Sequence, residues 1–169
     1  MALSKTVQDA MNEQMKHEFF AAYLYLSMSA YCSARNFPGF AKWLRMQAQE
    51  ELGHAMRIFD FIDNRDGTVV LQAVPQPTTD FPSLVALFEQ ARDHEKKVTA
   101  LINKLYELVA QEKDYASHPF LEWFLTEQVE EEKTSNQIVE SLKLAGDFPG
   151  ALLMLDREYG SRGPEDDDE

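Results

Sequence analysis

The chain has 169 residues, 44% of them apolar and 27% charged, a balance suited to one soluble globular domain with a substantial core. A formal charge of −13 at pH 7 sets it against nucleic acid and anionic membranes, which recruit basic patches; it suits a protein that gathers cations, or a plainly solvated acidic surface. The lone Cys32 forms no internal disulfide, Met1 to Met15 lack a signal-peptide apolar run, and no stretch nears the roughly 20 apolar residues of a membrane span, so a cytoplasmic location is expected.

Five helices are predicted in chain order. The first runs from about Ser4 to Arg35, free of Gly and Pro. The second starts after Asn36 with Pro38 in its first turn and fades near Asn64, before the turn signal Asp66-Gly67. A third follows Asp80 as its N-cap, with Pro82 in the first turn, and continues to about Glu112. The fourth opens near Ser117 with Pro119 in its first turn and closes at Gly146, and a short fifth follows Asp147 and Pro149 and ends near Tyr159. The last residues, Gly163 to Glu169, hold five acids and no apolar side chain, so residues 1–162 are expected to form the folded domain and 163–169 a disordered acidic tail.

Between the second and third helices lies Arg65 to Phe81, with Pro75 and Pro77 and no helical period. Antiparallel neighbours need a loop of only about 2–8 residues. Extended at roughly 3.3 Å per residue, this segment can run the ~40 Å length of a bundle. The second and third helices are then parallel. The expected fold is all-α: an up-down-down-up four-helix bundle with one long crossover and a short fifth C-terminal helix.

The 3–4 spacing gives each long helix an apolar stripe broken near its midpoint by a glutamate: Glu18, Glu51, Glu95 and Glu131. The two halves of the chain repeat with an offset of 77 (95 minus 18, 128 minus 51, 131 minus 54), pairing Glu18 with Glu95, Glu50 with Glu127, Glu51 with Gln128 and His54 with Glu131. Four carboxylates thus meet at one height inside the bundle, with His54 three positions after Glu51. A single glutamate on a helix is ordinarily a solvated residue, and one Glu-x-x-His pair is common by chance. The conjunction on four helices is what carries weight.

Burying one unpaired carboxylate costs several kcal/mol. No Lys or Arg lies on these stripes to answer four of them. Either the groups stay protonated or cations bind. Two divalent ions bring a charge that balances four carboxylates and leaves His54 neutral as a ligand. Oxygen donors with one imidazole suit iron or manganese better than a structural zinc.

From Asn12-Glu13-Gln14-Met15 through Ala48-Gln49-Glu50-Glu51 and His54 to Glu127-Gln128-Val129-Glu130-Glu131, and on through Leu144-Ala145-Gly146, the chain resembles the bacterial non-haem ferritins of the ferritin-like superfamily. That resemblance implies a ferroxidase that oxidises Fe(II) with O2 or H2O2 and stores ferric mineral in a hollow homo-oligomeric shell of 24 subunits. It implies a first iron at Glu18, Glu51 and His54, a bridge through Glu51, and a second iron completed by Glu95 and Glu131 with Gln128 close by. A third iron site implied by the family falls on Glu50, Glu127 and Glu130, which composition alone reads as a solvated acidic face. Tyr25 matches a tyrosine beside the centre that hydrogen-bonds a ligand or supplies an electron; a core aromatic with a satisfied hydroxyl is the plainer reading. Bacterioferritins resemble the chain too, but carry a haem-ligating Met where Leu52 stands and a second Glu-x-x-His where Gln128 and Glu131 stand, so no haem is expected.

Two rival readings follow from the same residues. A di-iron or di-manganese oxidase or peroxidase of the same superfamily would share the ligands but form a small oligomer without mineral. A non-catalytic helical interaction protein would use the acids structurally. His17, His94 and His118 show no partner pattern and are expected at the surface, while Trp43, Trp123 and Cys32 are expected to pack.

Overall fold

The computed structural model describes residues 2–163, which form five α-helices and one 3-10 turn and contain no strand. Most of the expected acidic tail lies outside the described residues. Helix α1 spans Lys5–Ala34, α2 Pro38–Asn64, α3 Leu84–Gln111, α4 His118–Ala145 and α5 Pro149–Gly160. Ser4 caps α1, its hydroxyl accepting from the Val7 amide at 3.3 Å. Asn36, at φ 61°, turns the chain between α1 and α2 in the left-handed region that Asn tolerates. Gly146, at φ 56°, ends α4 where a side chain would be strained.

The predicted cap of α3 is corrected. Ser83, not Asp80, is the N-cap, its hydroxyl accepting from the Ala86 amide at 3.0 Å. Pro82 therefore precedes the helix, and extended backbone at Ser83 delays its start by one turn. Asp80 instead accepts from the adjacent Phe81 amide at 3.1 Å.

Cross-helix contacts fix the topology. Ser29 donates to the Ala41 carbonyl at 2.7 Å, close to the turn that joins α1 antiparallel to α2. Tyr106 stacks edge-on against His118 and Glu89 pairs with Lys143, so α3 and α4 are antiparallel as well. Phe40 meets Phe88 near the start of α2 and α3, and Arg65 meets Asp114 just beyond their ends at 2.8 Å. Those two helices run parallel. The crossover between them lies along α1: Asn12 donates to the Thr68 carbonyl at 3.0 Å and accepts from the Val70 amide at 2.7 Å, Ser27 bonds the Thr78 carbonyl, and Tyr31 bonds the Phe81 carbonyl at 3.0 Å.

Helix α5 docks on the start of α2. Phe37 offers α2 no side-chain cap. The buried carboxylate of Asp156 supplies it from the far end of the chain, accepting from the Gly39 amide at 3.1 Å and the Phe40 amide at 2.8 Å. The approach is close enough that a Cβ at Gly39 would lie 1.7 Å from the Asp156 carbonyl oxygen.

The bundle interior is divided. One apolar cluster gathers Met28, Phe40, Leu44, Phe88 and Leu142; a second gathers Met11, Ile58, Ile62, Ile102 and Phe124. Between them lies a layer of buried polar side chains from all four helices. Cys32 and Trp43 are buried, as expected.

Candidate metal centre

The polar layer contains Gln14 and Glu18 of α1, Gln47, Glu51 and His54 of α2, Glu95 of α3 and Gln128 of α4, all buried, with Glu131 of α4 at its edge and partly exposed. Each residue falls at an inward position of its helix because the apolar residues one turn on either side are inward too. Glu18, Glu51 and His54 form the tightest group, with ligand atoms all within 4.8 Å of one another. The His54 Nδ1 lies 3.3 Å from one Glu51 oxygen and 3.8 Å from Glu18 Oε2. Glu95 and Glu131 do not join that tight group. They line the opposite side of the layer.

Amides and hydroxyls hold the carboxylates in place. Gln14 donates to Glu18 at 2.7 Å, leaving the buried Glu18 Oε2 without any hydrogen-bond partner. Gln47 donates to Glu131 at 2.8 Å and to Glu51 at 3.3 Å, tying α2 to α4. Glu95 accepts from the Tyr25 hydroxyl and, at 3.3 Å, from Gln128 Nε2. The rings of Trp123 and Phe124 pack edge-to-face with the His54 imidazole at centroid distances of 5.3 and 5.8 Å.

Burial without a cation shifts these groups together. Burial pushes Glu95 up to about 8, with repulsion from Glu51 adding to it. Glu131 rises to about 8, through burial and then Glu95. Glu51 rises to about 7, where burial outweighs the opposing help of His54. Burial works against a charged His54, but Glu18 and Glu51 more than offset it and raise its pKa. Burial, then the nearby carboxylates, push the Tyr25 phenol well above its usual value, so it stays a neutral donor. The layer therefore stores protons where an orphaned oxygen and three displaced carboxyls call for positive charge. Divalent cations with oxygen and imidazole donors fit that set.

Of the three third-site residues, Glu50 and Glu127 are partly buried and Glu130 is exposed. Glu50 pairs with Arg162, which follows α5. Neither the Arg162 contact nor the Asp156 cap carried a sequence signal, because both join residues more than 100 positions apart. Gln14 and Gln47 did carry one: each stands one turn before a buried glutamate on the same stripe. The expectation that all three other histidines sit at the surface is corrected. His17 is partly exposed and lies 3.5 Å from Glu13, but His94 and His118 are half-buried against Phe20 and Tyr106, each with a buried Nε2 that lacks a hydrogen-bond partner. Burial drops His94 to about 4, so it is neutral.

A carboxylate-rich layer around one imidazole, inside an up-down-down-up bundle, defines a metal-binding four-helix protein. A ferritin-like domain model matches residues 8–145. The chain belongs to the ferritin family, and iron storage is the function that membership carries. It is 40% identical over 160 residues to a bacterial non-heme ferritin of Staphylococcus aureus strain USA300, covering 95% of this chain and 96% of that one. A bacterial non-heme ferritin of Staphylococcus saprophyticus is 39% identical over the same length. Among solved structures, an engineered closed form of the Archaeoglobus fulgidus ferritin superposes with a TM-score of 0.95 at 45% identity, covering 96% of this chain and 99% of that one. An open-pore ferritin from the same archaeon gives 0.94 at 45% identity, with 95% and 98% covered. No described helix is long and apolar enough to cross a membrane.

Proposed function

We propose that the polar layer is a ferroxidase centre, and that the product is stored as ferric mineral inside a hollow shell of 24 copies. The buried Glu18–Glu51–His54 group, with its orphaned Glu18 oxygen, is the observation that carries the reading. Two ferrous ions are the substrates. The first is held by Glu18, Glu51 and His54; Glu51 bridges to the second, which Glu95 and Glu131 complete with Gln128 beside them. No haem takes part, since Leu52 offers no thioether.

Each iron gives up one electron. Dioxygen accepts the pair with two protons and leaves as hydrogen peroxide, or peroxide accepts the pair with two protons and leaves as two waters. Splitting the reduction between two metals avoids a free one-electron oxygen radical. Carboxylates favour the higher charge of Fe(III) and so drive the oxidation. The chain's residues set the geometry for this. Gln14 and Gln47 aim the carboxylates, Tyr25 and Gln128 hold Glu95, and the rings of Trp123 and Phe124 exclude water from one side of His54. Glu50, Glu127 and Glu130 supply a third iron site. Exposed apolar residues on α1 and α2 (Tyr23, Leu26, Leu52 and Met56) and on α5 (Leu153 and Met154) supply surface for assembly.

Stopped-flow oxidation of Fe(II) tests the centre. The intact protein should show a fast phase that consumes two irons per subunit, and Glu18→Ala or His54→Ala should abolish it. A fast phase unchanged in both variants defeats the assignment. Particle sizing tests storage separately, because a dimer with no hollow shell would leave a small di-metal oxidase instead.

A further inference from the structure

The geometry points to Arg162 as a latch on Glu50 that a third cation must displace, which rests on the third-site reading above. Arg162 follows α5 and reaches back to the middle of α2. Its Nη2 pairs with Glu50 Oε1, its Nη1 donates to Gln47 Oε1 at 3.1 Å, and its guanidinium carbon lies 5.2 Å from the centre of the Trp43 ring. The pair is sheltered, with side-chain exposures of 16% for Arg162 and 23% for Glu50, so water screens it weakly. A guanidinium keeps its charge at every working pH, so only competition for Glu50 releases it.

One fork thus joins two sites. Nη2 holds a third-site carboxylate. Nη1 fixes which way the Gln47 amide points, with its oxygen toward Arg162 and its nitrogen toward Glu131 and Glu51. A cation arriving at Glu50 competes for the same oxygen and repels the guanidinium. Third-site affinity is therefore lower than the three acids alone would give, and the third ion binds after the pair.

Anaerobic calorimetry with redox-inert Zn(II) on the assembled, metal-free protein tests this at fixed ionic strength. Arg162→Ala should tighten the third Zn(II) about tenfold, roughly 1.4 kcal/mol, while the first two, whose carboxylates lose the Arg162 hold on Gln47, do not tighten. Arg162→Lys keeps a cation beside Glu50 and should stay within about threefold of the native protein. Equal tightening at all three sites would reduce the effect to overall charge and overturn the latch. Weakening at all three would mark a scaffold role and overturn it too, as would a Lys variant matching the Ala variant. Glu50→Ala separates the two levels of inference. Loss of the third Zn(II) there, with no change in Arg162→Ala, defeats the latch alone; a third Zn(II) that survives Glu50→Ala defeats the third-site reading and the latch with it.

Discussion

Metal loading of this layer must expel protons, and their number follows from the displaced carboxyls. A group pushed up to about 8 is about nine-tenths protonated at pH 7, and one at about 7 is about half protonated. Nine-tenths each from Glu95 and Glu131 and half from Glu51 make a little over two protons, and the raised His54 adds to that. Anaerobic titration of the metal-free protein with Zn(II) at pH 7, in two buffers of different ionisation enthalpy, should give about two to three protons released per pair of ions. Release should fall steeply by pH 9, where the carboxyls are already ionised. Release below about half a proton at pH 7 would refute the burial argument. The same shifts set the pH dependence of stability. These carboxyls have folded pKa values above the unfolded ones, so their protonation stabilises the fold fully below about 4.5, and that stability is lost as pH rises through 7 and 8. The melting temperature of the metal-free protein should fall across that window, and Zn(II) should flatten the curve.

Two further predictions concern the docking of α5. Asp156→Ala removes the side-chain cap that reaches the α2 N-terminus and should cost about 1–2 kcal/mol in chemical denaturation, with the loss concentrated at that end in hydrogen exchange. Gly39→Ala and Gly53→Ala both place the better helix former inside α2, yet should act oppositely: the first forces α5 away from a 1.7 Å overlap and lowers the melting temperature, whereas the second points into open space and raises stability by up to about 1 kcal/mol. Parallel behaviour of the two alanines would show that helix propensity, not the α5 contact, governs this segment.

The bundle was legible because its information is periodic. Stripes such as Leu44, Gln47, Glu51, His54 and Ile58 state which face is buried, and the midpoint glutamates state at what height the helices meet. The length of the crossover by itself implies parallel α2 and α3. The start of α3 is ambiguous in the sequence because Asp80, Pro82 and Ser83 are all acceptable near a helix start, and only backbone geometry chooses among them. The half-burial of His94 and His118 is hidden from the sequence because their environments come from Phe20 and Tyr106 on neighbouring elements, which no spacing within α3 or α4 encodes. Asp156 and Arg162 were silent for the same reason. A lone acid or base beside a short helix looks solvated until the chain folds back upon α2.

The crossover is fastened to α1 near Asn12, Ser27 and Tyr31, and between the first two it is nearly extended: the helix rises about 22 Å from Asn12 to Ser27, while Val70 to Thr78 can reach about 26 Å. Its length is therefore a ruler for the helices beside it. Adding one turn to α2 and α3 lengthens them by about 5.4 Å and demands about two more residues of extended strand alongside. Insertions in this architecture should thus come in matched sets, a turn in the helices with a residue pair in the ruler, and an unmatched change in either would pull one fastening loose.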